Sequence, residues 1–184
     1  MCRLYQRYLL LLAFMALLGV RPAAAQTPPT AAGPVAPEFT GISHWINASP
    51  LSMRRLRGKV VLVDFWAFEC INCLHTIDHL NALYARYKDR GLVVVGVHTP
   101  ELEAERSRAN LVAAVRQLHI AYPVAQDNQA DTWHAWGNRY WPTEYLVDAN
   151  GSVVWKHIGE GQYEALEEAV RAQLRPTQPP AQRQ

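Results

Sequence analysis

One segment near the middle of the chain constrains the fold more than any other, because an apolar run leads directly into a Cys-x-x-Cys pair. The run covers residues 60–63 (Val-Val-Leu-Val), and the pair is Cys70 and Cys73. A continuous apolar run of this kind is typical of a buried strand. Beyond Cys70, apolar residues recur at steps of three and four, which predicts one face of a helix. These residues are Leu74, Ile77, Leu80, Leu83, Tyr84 and Tyr87.

The position of Cys70, at the predicted start of that helix, favours thiol chemistry. A helix N-terminus presents unpaired N–H groups and a partial positive charge, which stabilise a thiolate relative to a thiol. The thiolate is the form that attacks disulfides. Cys73 lies three residues further on and can close a small disulfide ring with Cys70. We therefore expect the pair to cycle between dithiol and disulfide.

Residues 1–25 predict a secretory signal peptide. Arg3 and Arg7 precede an apolar run at residues 8–20, and the alanines at 23–25 supply the small residues that a signal peptidase needs. An uncleaved membrane anchor is the alternative. However, the run is short for a membrane span, which needs about 20 apolar residues, and Arg21 directly follows it. We expect cleavage after the third alanine and a periplasmic protein.

Removal of this leader changes what the cysteine count means. The chain has 184 residues and three Cys, of which Cys2 lies in the leader. The 159 residues that remain suit one domain with a substantial core. Exported proteins use Cys mainly for structural disulfides. Because a bridge between Cys70 and Cys73 would constrain very little of the chain, we expect this pair to serve chemistry.

The charge balance excludes some classes of partner. The full chain has 18 basic and 16 acidic residues, and without the three arginines of the leader the numbers are 15 and 16. No segment concentrates basic residues in the way that binding to nucleic acid or to an anionic membrane surface requires. We expect no nucleic-acid partner and a monomeric protein.

Proline-rich segments mark the predicted limits of the domain. Residues 26–39 contain a Pro/Ala-rich stretch without a core pattern, which predicts a flexible linker. Residues 175–184 contain three Pro among mostly polar residues, which predicts a disordered tail. The domain is therefore predicted to cover residues 40–174.

Strand and helix patterns alternate between these limits. The predicted strands cover residues 60–65, 92–97, 122–125, 144–147 and 153–158. The predicted helices cover residues 70–90, a segment that begins at Thr99-Pro100-Glu101 and runs through Leu118, residues 131–137 and residues 163–174. The turn at 148–151 (Asp-Ala-Asn-Gly) predicts a hairpin. This order predicts a three-layer α/β domain, with parallel strands, crossover helices and a final antiparallel hairpin.

The chain resembles the thioredoxin superfamily in residues 63–67 (Val-Asp-Phe-Trp-Ala), in the Cys70–Cys73 pair and in Trp141-Pro142-Thr143. Residues 57–66 and the dipeptide Ile71-Asn72 are similar to the exported TlpA- and ResA-type branch and to the thioredoxin-like domain of DipZ-type proteins. The resemblance implies a thioredoxin-like three-layer α/β/α domain with a mixed central sheet. It also implies an inserted helix and strand, which are absent from a minimal thioredoxin.

The resemblance implies a role for each site residue. Cys70 attacks a partner disulfide, and Cys73 then resolves the mixed disulfide. Asp64 is implied to be the buried carboxyl that takes or returns the proton of Cys73, whereas the alternative is a solvated or capping acid at a strand end. Pro142 is implied to be a cis proline that faces the sulfurs, presents a backbone edge to the substrate and keeps metals away.

Two further pairs of residues leave alternatives open. Trp66 and Trp141 are predicted to form walls of the site and to bind substrate, and core packing is the other reading. His75 and His79 are four residues apart on one helix face, a spacing compatible with a metal ion. No third ligand is evident on that face, so neither a metal nor another cofactor is expected.

The function that the resemblance implies is an exported thiol–disulfide oxidoreductase that reduces protein disulfides. Its implied roles are cytochrome c maturation or the maintenance of envelope thiols. Its implied partners are a disulfide-bearing protein client and a membrane thiol-reductant donor. The direction of electron flow stays open, because the reduction potential depends on thiolate stabilisation.

Two other functions compete with this one. The first is a copper-binding metallochaperone module on the same fold, although such relatives have a wider Cys spacing and a distal His. The second is a thiol peroxidase, whose nucleophilic Cys follows a Thr-x-x sequence. Neither Cys70 nor Cys73 has a Thr at that position, which makes the peroxidase the weaker of the two.

Overall fold

The computed structural model describes residues 33–175, so the predicted signal peptide, most of the predicted tail and the first part of the predicted linker lie outside the described residues. The strands are β1 His44–Ile46, β2 Val60–Trp66, β3 Leu92–His98, β4 Val124–Gln126, β5 Thr143–Val147 and β6 Val153–Ile158. The α-helices are α1 Ile71–Tyr87, α2 Arg108–Gln117, α3 Asp131–Ala135 and α4 Tyr163–Gln173. Short 3-10 helices occupy Lys88–Arg90 and Glu103–Arg106.

The strands form one mixed sheet in the order β1-β4-β3-β2-β5-β6. Strands β2, β3 and β4 run parallel to one another. The other pairs are antiparallel: β5 with β2, β6 with β5, and β1 with β4. Parallel neighbours need crossover connections, which α1 and α2 provide, and antiparallel neighbours need only a turn. Every residue of β2 is buried, as its continuous apolar sequence predicts.

Two apolar clusters cover the two faces of the sheet. On one face, the even-numbered residues of β2 (Leu62 and Trp66 among them) pack with α1, α2 and α4. On the other face, the odd-numbered residues pack with α3 and with the segment that precedes β2. The predicted three-layer α/β/α architecture with a mixed sheet and an inserted helix and strand, α2 and β4, is therefore confirmed.

The prediction of a helix that begins at Thr99-Pro100-Glu101 is wrong. Helix α2 starts at Arg108, where the hydroxyl of Ser107 accepts the backbone N–H of Asn110 at 3.4 Å. The backbone N–H groups that a cap at Thr99 would satisfy, those of Glu101 and Leu102, donate instead to the carboxylate of Glu105. The hydroxyl of Thr99 donates to Asp127 at 3.2 Å.

The predicted boundary of the linker at residue 39 is also wrong. The carbonyl of Pro34 accepts the N–H of Val153 at 2.9 Å, and the N–H of Ala36 donates to Gly151 at 3.0 Å. The carboxylate of Glu38 accepts the backbone N–H groups of residues 53 and 54 at 2.8 and 2.9 Å. These contacts attach residues 34–38 to the domain, so the domain begins before residue 40.

Strand β1 was not predicted, because three residues are too short for a periodic pattern. It is held by its antiparallel pairing with β4, in which Trp45 lies opposite Ala125.

Within residues 33–175, no helix combines the length and the apolar character that crossing a membrane requires.

Candidate active site

Cys70 and Cys73 lie where β2 leads into α1, and they form a disulfide. Cys70 is the N-cap residue of α1, and its Sγ accepts the backbone N–H of Cys73 at 3.3 Å. The prediction that Cys70 begins the helix is confirmed. A backbone donor and the positive end of the helix dipole therefore meet at this sulfur, and both favour the thiolate once the disulfide is reduced.

The two cysteines differ in their access to solvent. Cys73 is fully buried, whereas Cys70 is half-buried. A nucleophile must reach a sulfur on another protein, which Cys70 can do and Cys73 cannot. Cys73 is placed instead to attack Cys70 from within the domain. Ile71, which is 62% exposed, adds an apolar surface beside the pair.

Asp64 lies on β2, on the same sheet face as the buried side chain of Cys73. It is fully buried, and neither of its carboxyl oxygens has a hydrogen-bond partner among the described residues. Burial raises the pKa of Asp64 from 3.8 to about 7, because desolvation disfavours the charged form. The alternative of a solvated acid at a strand end is wrong, since β2 continues to Trp66.

Glu144 is a second buried acid, which the sequence analysis did not identify as functional. It lies on β5 directly opposite Asp64, is 1% exposed and likewise lacks a hydrogen-bond partner for either oxygen among the described residues. Burial and the neighbouring Asp64 raise the pKa of Glu144 from 4.5 to about 9. The available signal was an acid at the start of the predicted strand at residues 144–147.

A glycine on the next strand makes room for two large rings beside the acids. Gly96 of β3 is the partner of Asp64 on its other side. A Cβ at Gly96 would lie 2.9 Å from Nε1 of Trp66 and 3.2 Å from Cε2 of Tyr122, so only glycine fits without displacement. Tyr122 is fully buried, and burial, with Asp64 and Glu144 adding to it, raises the pKa of Tyr122 well above 10.0.

The prediction that Trp66 binds substrate is wrong. Trp66 is fully buried, and its ring packs in the core against Gly96 and against His98, with ring centroids 5.2 Å apart. A side chain without solvent access cannot touch a protein client. The alternative reading, core packing, describes this residue.

Trp141 and Pro142 lie at the start of β5, and the peptide bond between them is cis, as the resemblance implies. The indole N–H of Trp141 donates to the carbonyl of Thr99 at 3.1 Å, and the ring packs on Trp133 with centroids 4.2 Å apart. The carbonyl of Pro142 accepts the N–H of Gly159 at 2.9 Å. Trp141 stays partly exposed, which leaves its predicted contact with substrate open.

Glu105 holds the loop before Cys70 and was missed by the sequence analysis. It is fully buried. One carboxylate oxygen accepts the backbone N–H of Glu69 at 2.9 Å. The other oxygen accepts the N–H groups of Glu101 and Leu102 at 2.7 and 2.8 Å. The 3-10 helix Glu103–Arg106 is thereby attached to Glu69, the residue before Cys70.

His98 fills the space between this carboxylate and the core. Its ring stacks on Phe68 with centroids 5.3 Å apart, and its Nε2 lies 4.0 Å from Oε1 of Glu105. The side chain is fully buried. Burial lowers the pKa of His98 to about 4, although Glu105 opposes the shift. His98 is therefore neutral at physiological pH.

His75 and His79, the pair with a metal-compatible spacing, have other contacts. Nδ1 of His75 lies 2.6 Å from Oε2 of Glu160, and the ring of His79 stacks on Tyr163 with centroids 4.6 Å apart. Throughout residues 33–175, no group of three or more His, Cys, Asp or Glu side chains is arranged to hold a metal ion.

The chain is similar in sequence and structure to several known proteins. A profile described as the AhpC/TSA family matches residues 32–156. Protein DipZ of Mycobacterium bovis is 47% identical over 147 residues, which are 78% of this chain and 21% of DipZ. The chain therefore spans about a fifth of the length of the DipZ relatives that it matches.

Two further similarities cover most of the other protein as well. The thiol-disulfide oxidoreductase ResA of Bacillus cereus is 30% identical over 135 residues, which are 73% of this chain and 74% of ResA. The crystal structure of the thioredoxin domain of a thiol-disulfide oxidoreductase from Bacteroides vulgatus superposes with a TM-score of 0.62 and 29% identity. That match covers 76% of this chain and 98% of the solved domain.

Proposed function

The chain belongs to the AhpC/TSA family, and from this premise we propose that it is a thioredoxin-like thiol–disulfide oxidoreductase that reduces protein disulfides outside the cytoplasm. One observation carries the proposal: an accessible Cys70 at a helix N-terminus is bonded to a buried Cys73, with the buried carboxyl of Asp64 on the same sheet face. Such a site holds a nucleophile, a resolving thiol and a proton acceptor.

The proposed reaction moves two electrons from the dithiol to the client. The thiolate of Cys70 attacks one sulfur of the client disulfide, the client S–S bond breaks, and the first client sulfur leaves as a thiolate that takes a proton from water. The thiol of Cys73 passes its proton to Asp64 and attacks the sulfur of Cys70. The mixed disulfide breaks, the second client sulfur leaves as a thiolate that takes a proton from water, and the Cys70–Cys73 disulfide forms.

A second reductant must restore the dithiol by the same exchange in reverse. We propose a membrane thiol-reductant as the donor, because the leader at residues 1–25 has the pattern of an export signal. The proposed clients are the oxidised haem-site cysteines of apocytochrome c or wrongly oxidised envelope proteins. The exposed Ile71 and the partly exposed Trp141 offer apolar contacts to a client segment.

Trapping of the mixed disulfide tests the order of the two thiols. Reduced Cys73→Ala protein should accumulate a covalent complex with a disulfide-bearing peptide, because Cys70 attacks and nothing resolves the bond. Reduced Cys70→Ala protein should accumulate little complex, because Cys73 is buried. Equal trapping by both variants would contradict the assignment of Cys70 as the nucleophile. If neither variant accumulates a covalent complex, the proposed function is contradicted.

A further inference from the structure

Glu144 takes no part in the thiol steps described above, yet it occupies an energetically costly position. It lies directly opposite Asp64 in the antiparallel pair β2–β5, where facing Cβ atoms are about 4.5–5.5 Å apart. Both side chains are buried without hydrogen-bond partners among the described residues. One buried carboxylate without a donor is unfavourable, and two adjacent ones are more so. The pair therefore retains at least one proton at neutral pH.

The groups that face this carboxyl pair come from β6, α1, α4 and the segment before β4. On β6, the half-buried His157 is the partner of Glu144. Tyr122 packs beside the pair from the segment before β4, and α1 contributes Cys73 to the same face. Helix α4 contributes buried apolar side chains, among them Leu166. Among residues 33–175, no Lys or Arg side chain is buried.

The other titratable groups on α1 and α4 interact with one another. His79 stacks on Tyr163, and burial lowers the pKa of His79, with Glu167 and Arg86 as its charged neighbours. The hydroxyl of Tyr87 donates to Glu167 at 2.7 Å. The acid that acts on Glu144 is Asp64, so the two carboxyls form a unit.

We propose, on the basis of the function proposed above, that Glu144 is a positioning residue for the thiol chemistry. When Asp64 ionises, the protonated carboxyl of Glu144, which faces it across the strand pair, donates a hydrogen bond to the carboxylate of Asp64. In the resolving step, Cys73 gives its proton to Asp64 while the proton of Glu144 stays in place. No new bond forms on Glu144. Its effect is to make the ionised form of Asp64, the form that accepts the proton, less costly.

The two pKa values agree with this division of roles. Asp64, with a pKa of about 7, loses its proton before Glu144, with a pKa of about 9. Between these values the pair carries one proton, and its titration belongs to both residues. A substitution at position 144 that keeps a donor should preserve the function of Asp64, and one that removes the donor should not.

Infrared spectroscopy of the oxidised full-length protein tests the shared proton directly. At about pH 8, between the two pKa values, the wild-type protein should show the C=O stretch of a buried protonated carboxylic acid. The band should disappear in Glu144→Gln and persist in Asp64→Asn. Absence of the band from the wild-type protein, or its persistence in Glu144→Gln, would overturn the proposal.

A pre-steady-state pH profile tests the positioning role. Reduced protein is mixed with dithiobis(nitrobenzoate), and the second release of thionitrobenzoate reports the attack of Cys73 on the mixed disulfide at Cys70. In Glu144→Leu the midpoint of the profile should move to higher pH by about one unit, which slows the step about tenfold near neutral pH. Glu144→Gln, which retains an N–H donor, should keep the wild-type midpoint.

The two experiments separate a failure of this proposal from a failure of the proposed function. If the wild-type, Gln and Leu proteins all resolve the mixed disulfide with the same midpoint, Glu144 has only a structural role and the oxidoreductase assignment stands. If the wild-type protein shows no second release at all, the proposed function fails, and the infrared band still decides whether the pair shares a proton. Circular dichroism of each variant checks its folding before either comparison.

Discussion

The domain contains two groups of buried acids, and they differ in their hydrogen bonds. Glu105, in the insertion, is fully buried and accepts three backbone N–H groups, including that of the residue before Cys70. Asp127, after β4, accepts two backbone N–H groups and the hydroxyl of Thr99. Asp64 and Glu144, in the centre of the sheet, have no donor among the described residues.

The difference separates structural acids from acids that handle protons. Hydrogen bonds from several backbone donors favour the charged form of a buried carboxylate, although burial still raises the pKa of Asp127 above its usual value. Removal of such a carboxylate leaves its donors unsatisfied. A buried carboxyl without donors stays protonated until the pH is high, and it can exchange a proton with a neighbouring thiol. Burial alone therefore does not indicate the role of an acid in this domain. The presence or absence of hydrogen-bond donors to its carboxyl group does indicate that role.

The largest expected effect is on stability, at Glu105. Glu105→Ala should lower the free energy of unfolding by about 3 kcal/mol, because it removes charge-assisted hydrogen bonds to the backbone. Urea unfolding measures the loss. Glu103→Ala is the matched control, since Glu103 lies in the same 3-10 helix with its side chain 91% exposed. Equal effects of the two substitutions would show that the buried hydrogen bonds do not stabilise the loop.

The next effect is on rate, at Asp64. Asp64→Asn should slow the resolving step about 100-fold near neutral pH, because the amide cannot accept the proton of Cys73. The attack by Cys70 should be nearly unchanged. Stopped-flow measurement of the two phases distinguishes the steps.

Asp78→Asn is the control for this prediction, because Asp78 is an exposed acid on the same helix as Cys73. It should leave both phases as they are in the wild-type protein. If Asp64→Asn slows the attack by Cys70 as much as the resolving step, Asp64 is not the proton acceptor of Cys73.

The third effect is the dependence of stability on pH. The folded protein keeps protons on Asp64 and Glu144 up to about pH 7 and about pH 9, whereas the unfolded chain releases them near 3.8 and 4.5. The folded state therefore binds more protons in this window, and stability falls as the pH rises through it. The expected slope is about 1.4 kcal/mol per pH unit for each carboxyl protonated only in the folded state.

Urea unfolding of the oxidised protein at several pH values measures this slope without interference from the thiols. The double variant Asp64→Asn, Glu144→Gln should flatten the curve between about pH 7 and about pH 9, above the range in which the buried His98 contributes. A wild-type stability that does not change between about pH 7 and about pH 9 would show that Glu144 is not held protonated by the fold.

The smallest expected effect is on stability, at Glu144. Glu144→Gln should change the free energy of unfolding by less than about 1 kcal/mol near neutral pH, because no donor loses its partner. The contrast with Glu105→Ala measures the difference between the two groups of acids. A loss at Glu144→Gln as large as that at Glu105→Ala would remove the distinction between them.

The sequence was sufficient for the fold and for the reactive pair. The strand Val60–Trp66 has a continuous apolar run, and the helix Ile71–Tyr87 has apolar residues at steps of three and four. The position of Cys70 at the helix start follows from where these two patterns meet. The burial of Asp64 was implied by the same resemblance that pointed to the cis bond before Pro142.

What the sequence did not predict depends on contacts between distant segments. Glu105 reads as a surface acid in a charged stretch, and only the folded chain brings it to the N–H of Glu69, 36 residues away. Trp66 directly follows the predicted strand at residues 60–65, and its burial agrees with core packing, the alternative reading of this residue. Short elements such as His44–Ile46 are held by their partners rather than by their own sequence.

The equilibrium of the Cys70–Cys73 pair with glutathione and dithiothreitol buffers tests the proposed reductase function most directly. The chain without residues 1–25 is equilibrated in each buffer, and the fraction of disulfide is measured after rapid alkylation. We expect a reduction potential near or below that of thioredoxin, roughly −270 mV, as a reductase of protein disulfides requires. A potential of about −120 mV would mean that the pair is an oxidant, and it would contradict the reductive function.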